Sequence, residues 1–285
     1  MSFTTLISTA ALAEHLSDSW IIADCRCDLQ RDDWGHKEYE ASHIPGAIFV
    51  SLSQHLSAPL TGINGRHPLP SPNAMVATFE HLGIANGVQV VAYDQDSGMF
   101  ASRLWWMLRY AGHDQVAVLD GGWAKWMAEK RPTRSGVESR AESRFHPEWR
   151  TEWAVELRDC SGLYRDPQTL LLDARAAERF EGRVEPLDRL PGHIPGAANH
   201  PYRANLRPDN TMRSPEELRA ELLCALGGHS PNQTVMYCGS GVSACHNLLA
   251  MEHAGLPGAR LYVGSWSEWS ADPDRPVETG PARRR

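Results

Sequence analysis

The chain contains one sequence pattern twice, and this repeat limits what the chain can fold into. The pentapeptide His-Ile-Pro-Gly-Ala occurs at residues 43–47 and again at residues 193–197, 150 positions later. Further segments match in the same order, among them Gly121-Gly122-Trp123 with Gly264-Ser265-Trp266. A repeat of about 120 to 150 residues has the size of a domain rather than of a solenoid unit. The sequence therefore predicts two domains that share one fold.

Within each copy, apolar segments of strand length alternate with amphipathic segments of helix length. Strands are predicted at Trp20–Ala23, Ala47–Val50, Gln89–Tyr93 and Val116–Leu119 in the first copy, and at Thr169–Asp173, Thr234–Tyr237 and Arg260–Val263 in the second. Helices are predicted at Pro72–Leu82, Phe100–Tyr110, Pro215–Leu226 and Ser243–His253. This alternation is typical of a mainly parallel sheet with helices on both faces, so each copy is predicted to be an α/β domain.

A polar stretch separates the two copies. Residues 131–152 contain Pro132, Ser135, Gly136 and Pro147, which is the composition of a connecting segment. We therefore expect a first domain over residues 1–130, a linker over 131–152 and a second domain over 153–285.

The charge and the apolar patterning of the chain exclude some classes of partner. There are 28 Lys and Arg against 35 Asp and Glu, a net charge of −7, whereas nucleic-acid binding depends on clustered cations. The basic run Arg283-Arg284-Arg285 is expected to be a solvated tail. No apolar run approaches the roughly 18 residues of a membrane span. Neither a nucleic-acid nor a membrane partner is therefore expected.

The six cysteines indicate the compartment. They are too sparse in 285 residues for a disulfide scaffold, and the residues after Met1 do not have the cationic start of a signal peptide. A reducing, cytoplasmic setting is therefore expected, in which any cysteine chemistry starts from a free thiol.

One cysteine lies where an α/β domain places its ligands. Cys238 follows the predicted strand Thr234–Tyr237, at a carboxyl end of the sheet, and begins a loop of small residues before a helix at Ser243. Gly239 and Gly241 allow the backbone to turn successive N–H groups towards one point, next to the positive end of the helix dipole. These features favour a thiolate, so the sequence predicts that Cys238 is a nucleophile.

The residues 238–244, Cys-Gly-Ser-Gly-Val-Ser-Ala, together with the repeated pentapeptide and residues 264–269, resemble the tandem-domain rhodaneses. Within that family the loop is most similar to that of 3-mercaptopyruvate sulfurtransferases, with Ser243 in place of the usual Thr. The resemblance implies a catalytic second domain and a non-catalytic first domain. In agreement, the first copy has Asp94 where the second has Cys238, and Asp94 cannot accept sulfur.

The resemblance also implies a function. Sulfur would pass from 3-mercaptopyruvate, through a persulfide on Cys238, to cyanide or a thiol such as thioredoxin or glutathione, with no metal or organic cofactor. The loop residues Gly239, Gly241, Val242 and Ser243 would contact the transferred group. A thiosulfate:cyanide sulfurtransferase and a module that delivers persulfide to a partner protein remain alternatives. A cysteine phosphatase is disfavoured, because its loop needs an arginine at the position of Ala244.

The donor is expected to be a small anion that arginines recognise. By resemblance, Arg179 is the first of these, since a guanidinium can bind a carboxylate with two hydrogen bonds. The second is Arg189 or, alternatively, Arg183. Gly239 and Ser240 place no cation inside the loop, which favours a singly charged carboxylate donor over the thiosulfate dianion.

A proton relay is implied by the same resemblance. It would consist of Ser240, His43 and a carboxylate from Asp32 or Asp33, and would supply a proton near the pyruvate enolate. The alternative is that His43 only supports a turn, as its counterpart His193 does in the second copy.

Overall fold

The computed structural model describes residues 2–282, so the predicted tail Arg283-Arg284-Arg285 lies outside the described residues. The chain forms two compact units. The first contains the N-terminal segment to Ala58, Pro70–Arg150 and Pro208–Thr211, and the second contains Pro59–Leu69, Thr151–Arg207 and the chain from Met212 onward. Among the described residues, no helix is long and apolar enough to cross a bilayer.

The first unit is built on a five-stranded parallel sheet. Its strands are β1 (Leu6–Ile7), β2 (Ile21–Asp24), β3 (Ala47–Phe49), β4 (Val90–Tyr93) and β5 (Val116–Leu119). Its helices are α1 (Thr9–Glu14), α2 (Trp34–Ala41), α3 (Pro72–His81), α4 (Ala101–Tyr110) and α5 (Gly122–Ala128). The strand order β1-β5-β4-β2-β3 is that of a doubly wound sheet with β4 at its centre.

The second unit repeats this arrangement. Its strands are β6 (Ala154–Val155), β7 (Leu170–Asp173), β8 (Ala198–Asn199), β9 (Thr234–Tyr237) and β10 (Arg260–Tyr262). Its helices are α6 (Leu157–Leu163), α7 (Ala177–Phe180), α8 (Pro215–Leu226), α9 (Ser243–His253) and α10 (Ser265–Trp269). The order β6-β10-β9-β7-β8, again all parallel, confirms the predicted pair of α/β domains.

The two central strands are buried apolar segments. All four residues of β4 and all four of β9 are buried, which explains why these segments have no polar alternation. Local signals mark the ends of helices packed on the sheets: Ser71 and Ser214 cap α3 and α8 with their hydroxyls, and Gly255 follows α9 with φ +68°. Local sequence signals therefore set the N-terminal ends of α3 and α8 and the C-terminal end of α9.

The partition of the chain differs from the sequence-based boundaries at three places, one of which is Pro208–Thr211, expected in the second domain but part of the first unit. Residues 131–150, expected to form a linker, belong to the first compact unit. There, Arg134 pairs with His43 in an antiparallel bridge, and Phe145 is buried against Phe79. Pro59–Leu69, expected in the first domain, belongs to the second unit. This segment lies within residues 50–71, which connect β3 to α3 and are seven residues longer than the matching connection 200–214.

Candidate active site

Cys238 is the first residue after β9, at the carboxyl end of the central strand of the second unit. The hydroxyl of Ser265 accepts the Cys238 N–H at 3.2 Å, and the Cys238 carbonyl accepts the N–H of Trp266 at 2.9 Å. Ser265 has φ +55°, a strained value for a residue other than glycine, and is fully buried. The first turn of α10 therefore fixes the backbone of Cys238, which is 2% exposed.

We call residues 238–244 the Cys238 loop. It turns at Gly241, which has φ +75°, and Val242 then leads into α9 at Ser243. The carbonyl of Gly241 accepts a hydrogen bond from the thiol of Cys245 at 3.2 Å. In the first unit, the hydroxyl of Ser102 donates to the carbonyl of Gly98 in the same way, at 2.6 Å. Because a serine makes the same hydrogen bond in the first unit, the contacts of Cys245 are those of a structural residue.

The first unit shows what the backbone of such a loop binds. Asp94, the counterpart of Cys238, follows β4, and its carbonyl accepts the Trp123 N–H at 2.8 Å, just as Cys238 accepts that of Trp266. The carboxylate of Asp94 is fully buried and accepts four backbone N–H groups. They belong to Asp96 (3.2 Å), Gly98 (2.8 Å), Phe100 (2.7 Å) and Ala101 (3.3 Å). This strand–loop–helix turn therefore builds a nest of amides around an anion.

The surroundings of Asp94 affect the ionised form of its carboxylate in two opposite directions. Burial raises the pKa of Asp94 to about 6, although the amide hydrogen bonds act in the opposite direction. Aligned on the left-handed glycines Gly98 and Gly241, the matching amides of the second unit are those of Gly241, Ser243 and Ala244. In this alignment Cys238 is the counterpart of Asp94, as the first residue after the central strand of its sheet.

Three other thiols lie in surroundings that keep them protonated. Burial raises the pKa of Cys25, and that of Cys27 to about 12, with neighbouring aspartates adding to both effects. Burial likewise raises the pKa of Cys160 to about 12. These cysteines are unsuited to act as nucleophiles near neutral pH.

Two guanidinium groups lie beside Gly239. A Cβ atom built on Gly239 would be 2.6 Å from Nη2 of Arg66 and 3.5 Å from Nη2 of Arg179. Asp188 joins the two arginines: its carboxylate accepts from Arg66 Nε at 2.7 Å and from Arg179 Nη2 at 2.9 Å. The side chains of Arg66 and Arg179 are 27% and 17% exposed, whereas that of Asp188 is 1% exposed. Solvent therefore reaches the guanidiniums more readily than the carboxylate between them.

Arg179 thus lies at the loop, as the sequence predicts, but the second arginine there is neither of the predicted ones. Arg189 donates to the carbonyl of Ala271 at 3.3 Å, and Arg183 pairs with Glu181 at 2.7 Å. Both guanidiniums are engaged outside the Cys238 loop. The structure brings Arg66 to Gly239 in their place, because the 59–69 segment belongs to the second unit.

The hydroxyl of Ser240 is also paired with a residue that the sequence analysis does not name. Nδ1 of His67 lies 2.7 Å from Oγ of Ser240. His43, the predicted partner, is fully buried in the first unit, with Nδ1 2.7 Å from the carbonyl oxygen of Tyr39 and its ring stacked on that of Tyr39. His67 therefore replaces His43 beside Ser240.

The second copy explains what His43 does. His193 has the same surroundings: Nδ1 lies 2.7 Å from the carbonyl oxygen of Phe180, on whose ring the imidazole is stacked. The repeated histidines thus have the same contacts in both units, which favours a supporting role in a turn for His43. The proposed acidic partners are likewise surface groups of the first unit, where Asp32 is exposed and Asp33 pairs with Lys37 at 2.5 Å.

Arg66 and His67 could have been found from the repeat itself. They lie in the connection between β3 and α3, which is seven residues longer than the matching connection of the second copy. A residue that serves a single site should occur once, whereas a residue that supports the common fold should occur in both copies. The pentapeptide histidines occur in both copies and so support the common fold, whereas Arg66 and His67 occur once and so serve a single site.

A cysteine at the end of a parallel strand, an amide-lined loop and two adjacent guanidiniums are the features of a protein that performs thiol chemistry on small anions. Comparison with known proteins agrees with this class. The sequence matches the rhodanese-like domain over residues 8–129 and again over 156–272. The chain belongs to the rhodanese family, as its loop and repeat predict.

Its relatives extend along the whole chain. It is 42% identical to a probable 3-mercaptopyruvate sulfurtransferase of Pseudomonas aeruginosa, over 98% of this chain and 100% of that protein. It is 39% identical to a putative thiosulfate sulfurtransferase of Mycobacterium tuberculosis, over 97% and 98%. The solved structure of 3-mercaptopyruvate sulfurtransferase from Leishmania major superposes with a TM-score of 0.84 at 32% identity, covering 94% of this chain and 74% of that one.

Proposed function

We propose that this protein is a sulfurtransferase that moves sulfur from 3-mercaptopyruvate, through a persulfide on Cys238, to a thiol or to cyanide. The observation that carries the proposal is the pair of matching loops. In the first unit the loop encloses a carboxylate with four amides, and in the second a cysteine occupies the position of that carboxylate. The names of the relatives from Pseudomonas aeruginosa and Leishmania major support this donor.

Arg66 and Arg179 are the groups that recognise the donor. Their guanidiniums are partly exposed and lie next to Gly239, one residue from the nucleophile. A carboxylate bound there by charge-assisted hydrogen bonds directs the sulfur of a three-carbon thiol towards Cys238. The recognition residues from the sequence analysis are therefore revised to Arg179 with Arg66.

The first half-reaction is a displacement at sulfur. The Cys238 thiolate attacks the sulfur of 3-mercaptopyruvate, the new S–S bond forms, and the C–S bond breaks with its electron pair going to carbon. The resulting pyruvate enolate takes up one proton to become pyruvate, and loss of the S–H proton of the donor supplies the equivalent proton and leaves the persulfide as an anion. Ser240, with His67 at 2.7 Å from its hydroxyl, is placed to deliver that proton. The loop amides stabilise the negative charge on the terminal sulfur.

The second half-reaction returns the enzyme to its thiolate. An acceptor thiolate, from thioredoxin or glutathione for example, attacks the outer sulfur and leaves as a persulfide, whereas cyanide leaves as thiocyanate. Acceptor thiols are abundant in a reducing compartment, and all six cysteines of this chain are free. We therefore place the reaction in the cytoplasm.

Thiosulfate is the second candidate donor. It is favoured by the two adjacent guanidiniums and by the name of the 39% identical relative from Mycobacterium tuberculosis. Both donors lead to the same persulfide on Cys238, so they differ in recognition and leaving group and share the nucleophile.

Intact-mass measurement tests the proposal. Incubation with 3-mercaptopyruvate without an acceptor should add about 32 Da, one sulfur atom, and release one pyruvate per chain. Cys238→Ser should abolish both, whereas the matched variant Cys245→Ser should retain both. No mass gain in the wild-type protein would contradict the proposed activity. Mass gain that is discharged by one partner protein only, and by no small thiol or cyanide, would instead indicate a persulfide carrier.

A further inference from the structure

The carboxylate of Asp188 occupies an unusual position for an acidic residue beside an anion-binding site. It accepts from Arg66 through two nitrogens, Nε at 2.7 Å and Nη2 at 3.3 Å, and from Arg179 Nη2 at 2.9 Å. One of its oxygens is 3.5 Å from the position of a Cβ atom on Gly239. An acidic side chain is therefore built in between the two cations that recognise the donor.

Asp188 is held there by its own turn. The backbone N–H groups of Leu187 and Asp188 both donate to Oε1 of Glu185 at 3.1 Å. Glu185 also pairs with Arg179 at 2.7 Å and with Arg175 at 3.2 Å. The Glu185 carboxylate thus fixes the backbone at Asp188, and the two arginines fix the Asp188 carboxylate, which is 1% exposed.

The charges around the turn alternate in a chain of contacts. The order is Asp173, Arg175, Glu185, Arg179, Asp188 and Arg66, with each carboxylate contacting the arginine next to it. The first three groups of this series, Asp173, Arg175 and Glu185, together carry a single net negative charge. Arg66, Arg179 and Asp188, the three groups nearest to Gly239, together carry a single net positive charge.

We propose that Asp188 determines which anionic donors the site accepts. By bridging Arg66 and Arg179 it cancels one of their two charges and leaves a site matched to a singly charged carboxylate. A dianion such as thiosulfate brings two negative charges into a largely buried cluster that offers one, and the second charge is uncompensated. This inference rests on the proposed function, since it assigns donor selectivity at the same site.

The net charge of Arg66, Arg179 and Asp188 predicts how a neutral side chain at position 188 changes anion binding. Asp188→Asn preserves the size of the side chain and one oxygen acceptor, but it removes the negative charge. The electrostatic gain for a bound anion is proportional to the charge of that anion, so a dianion gains twice as much as a monoanion. We expect the preference to shift towards the dianion by about tenfold, equivalent to about 1.4 kcal/mol.

Binding of two unreactive anions measures this shift without turnover. Sulfate represents the dianion and pyruvate the monoanion, and their Kd values are determined by calorimetry at fixed ionic strength, because salt screens such interactions. The ratio of Kd for sulfate to Kd for pyruvate should fall about tenfold in Asp188→Asn. The ratio of kcat/KM for thiosulfate to that for 3-mercaptopyruvate should rise by a similar factor.

Glu185→Gln is the matched control. It removes one buried negative charge from Arg179, as Asp188→Asn does, but Glu185 makes no contact with Arg66 in the described structure. We expect it to change the ratio less than threefold. An equal shift in both variants would indicate a general field effect, and equal losses for both anions in Asp188→Asn would indicate that Asp188 only positions the arginines. Either result overturns the proposal.

The wild-type protein provides a test that does not depend on the folding of a variant. It should bind pyruvate more tightly than sulfate at the same ionic strength, and the reverse order would overturn the proposal. This outcome is separate from the proposed function: a failed persulfide assay on Cys238 would refute the activity, whereas the anion affinities test Asp188 alone.

Discussion

Replacing Arg66 with alanine tests which arginine binds the donor together with Arg179: Arg66, as the structure indicates, or Arg189, as the sequence predicts. The sequence points to Arg189 as the second donor-binding arginine, and the structure places Arg66 beside Gly239. In Arg66→Ala, Asp188 retains its hydrogen bond from Arg179 at 2.9 Å, so the turn that holds Asp188 keeps a cationic partner. We therefore expect a folded protein with impaired donor binding.

The size of the effect follows from the charges at the site. Loss of Arg66 lowers the net charge of Arg66, Arg179 and Asp188 from one positive charge to zero. A charge-assisted hydrogen bond to a carboxylate contributes about 1.5 to 3 kcal/mol, which corresponds to a loss of about 10- to 150-fold in kcat/KM. Because the donor carboxylate is bound equally in the ground state and the transition state, most of this loss should be a rise in KM.

Pyruvate release from 3-mercaptopyruvate, measured at fixed ionic strength with a constant acceptor, gives both parameters. Arg189→Ala is the matched control, since its guanidinium donates to the Ala271 carbonyl, and its kcat/KM should stay within about twofold of the wild type. A loss in Arg189→Ala as large as that in Arg66→Ala would refute the structural assignment. So would an unchanged KM in Arg66→Ala.

Two further predictions concern the Ser240–His67 pair and Asp94. The Oγ of Ser240 and Nδ1 of His67 are 2.7 Å apart, so His67→Asn and Ser240→Ala should each lower kcat for pyruvate release about 100-fold. The double variant should lose no more activity than either single variant. Additive losses would show that the two residues have independent roles. Burial raises the pKa of Asp94 to about 6, above its value of about 3.9 in the unfolded chain. As pH falls, the folded protein therefore protonates Asp94 before the unfolded chain does, and the free energy of unfolding rises. Relative to Asp94→Asn, the free energy of urea unfolding of the wild type should rise by about 1 kcal/mol from pH 7 to pH 5; a fall would contradict the raised pKa.

The sequence predicts the architecture well because the fold is encoded locally and twice. The segments Val116–Leu119, Thr234–Tyr237, Pro215–Leu226 and Ser243–His253 form the predicted elements with the predicted bounds. Buried parallel strands are continuous apolar runs, and serine caps and terminal glycines mark the helices. The strands β1, β6 and β8 are missed because each has only two residues, which is too short for any periodicity.

The site is predicted in part, for a physical reason. Cys238 and Arg179 lie close to a strand end, where a local pattern of strand, glycine and helix reports their position. Arg66 and His67 reach the same loop from more than 100 residues away in sequence, and no local pattern encodes such a tertiary contact. His43 is predicted to act in the proton relay because it lies in the pentapeptide motif. That motif is repeated because it supports the fold in both copies.

The amide nest around Asp94 has a consequence for the history of the two halves. In the first half the anion is a covalent part of the chain, so the nest is always filled and exchanges nothing with the solution. In the second half the matching residue is Cys238, to which we propose that one sulfur atom is added and from which it is removed again. One half therefore contains a permanent internal anion, whereas the other has a cysteine at the matching position after its central strand.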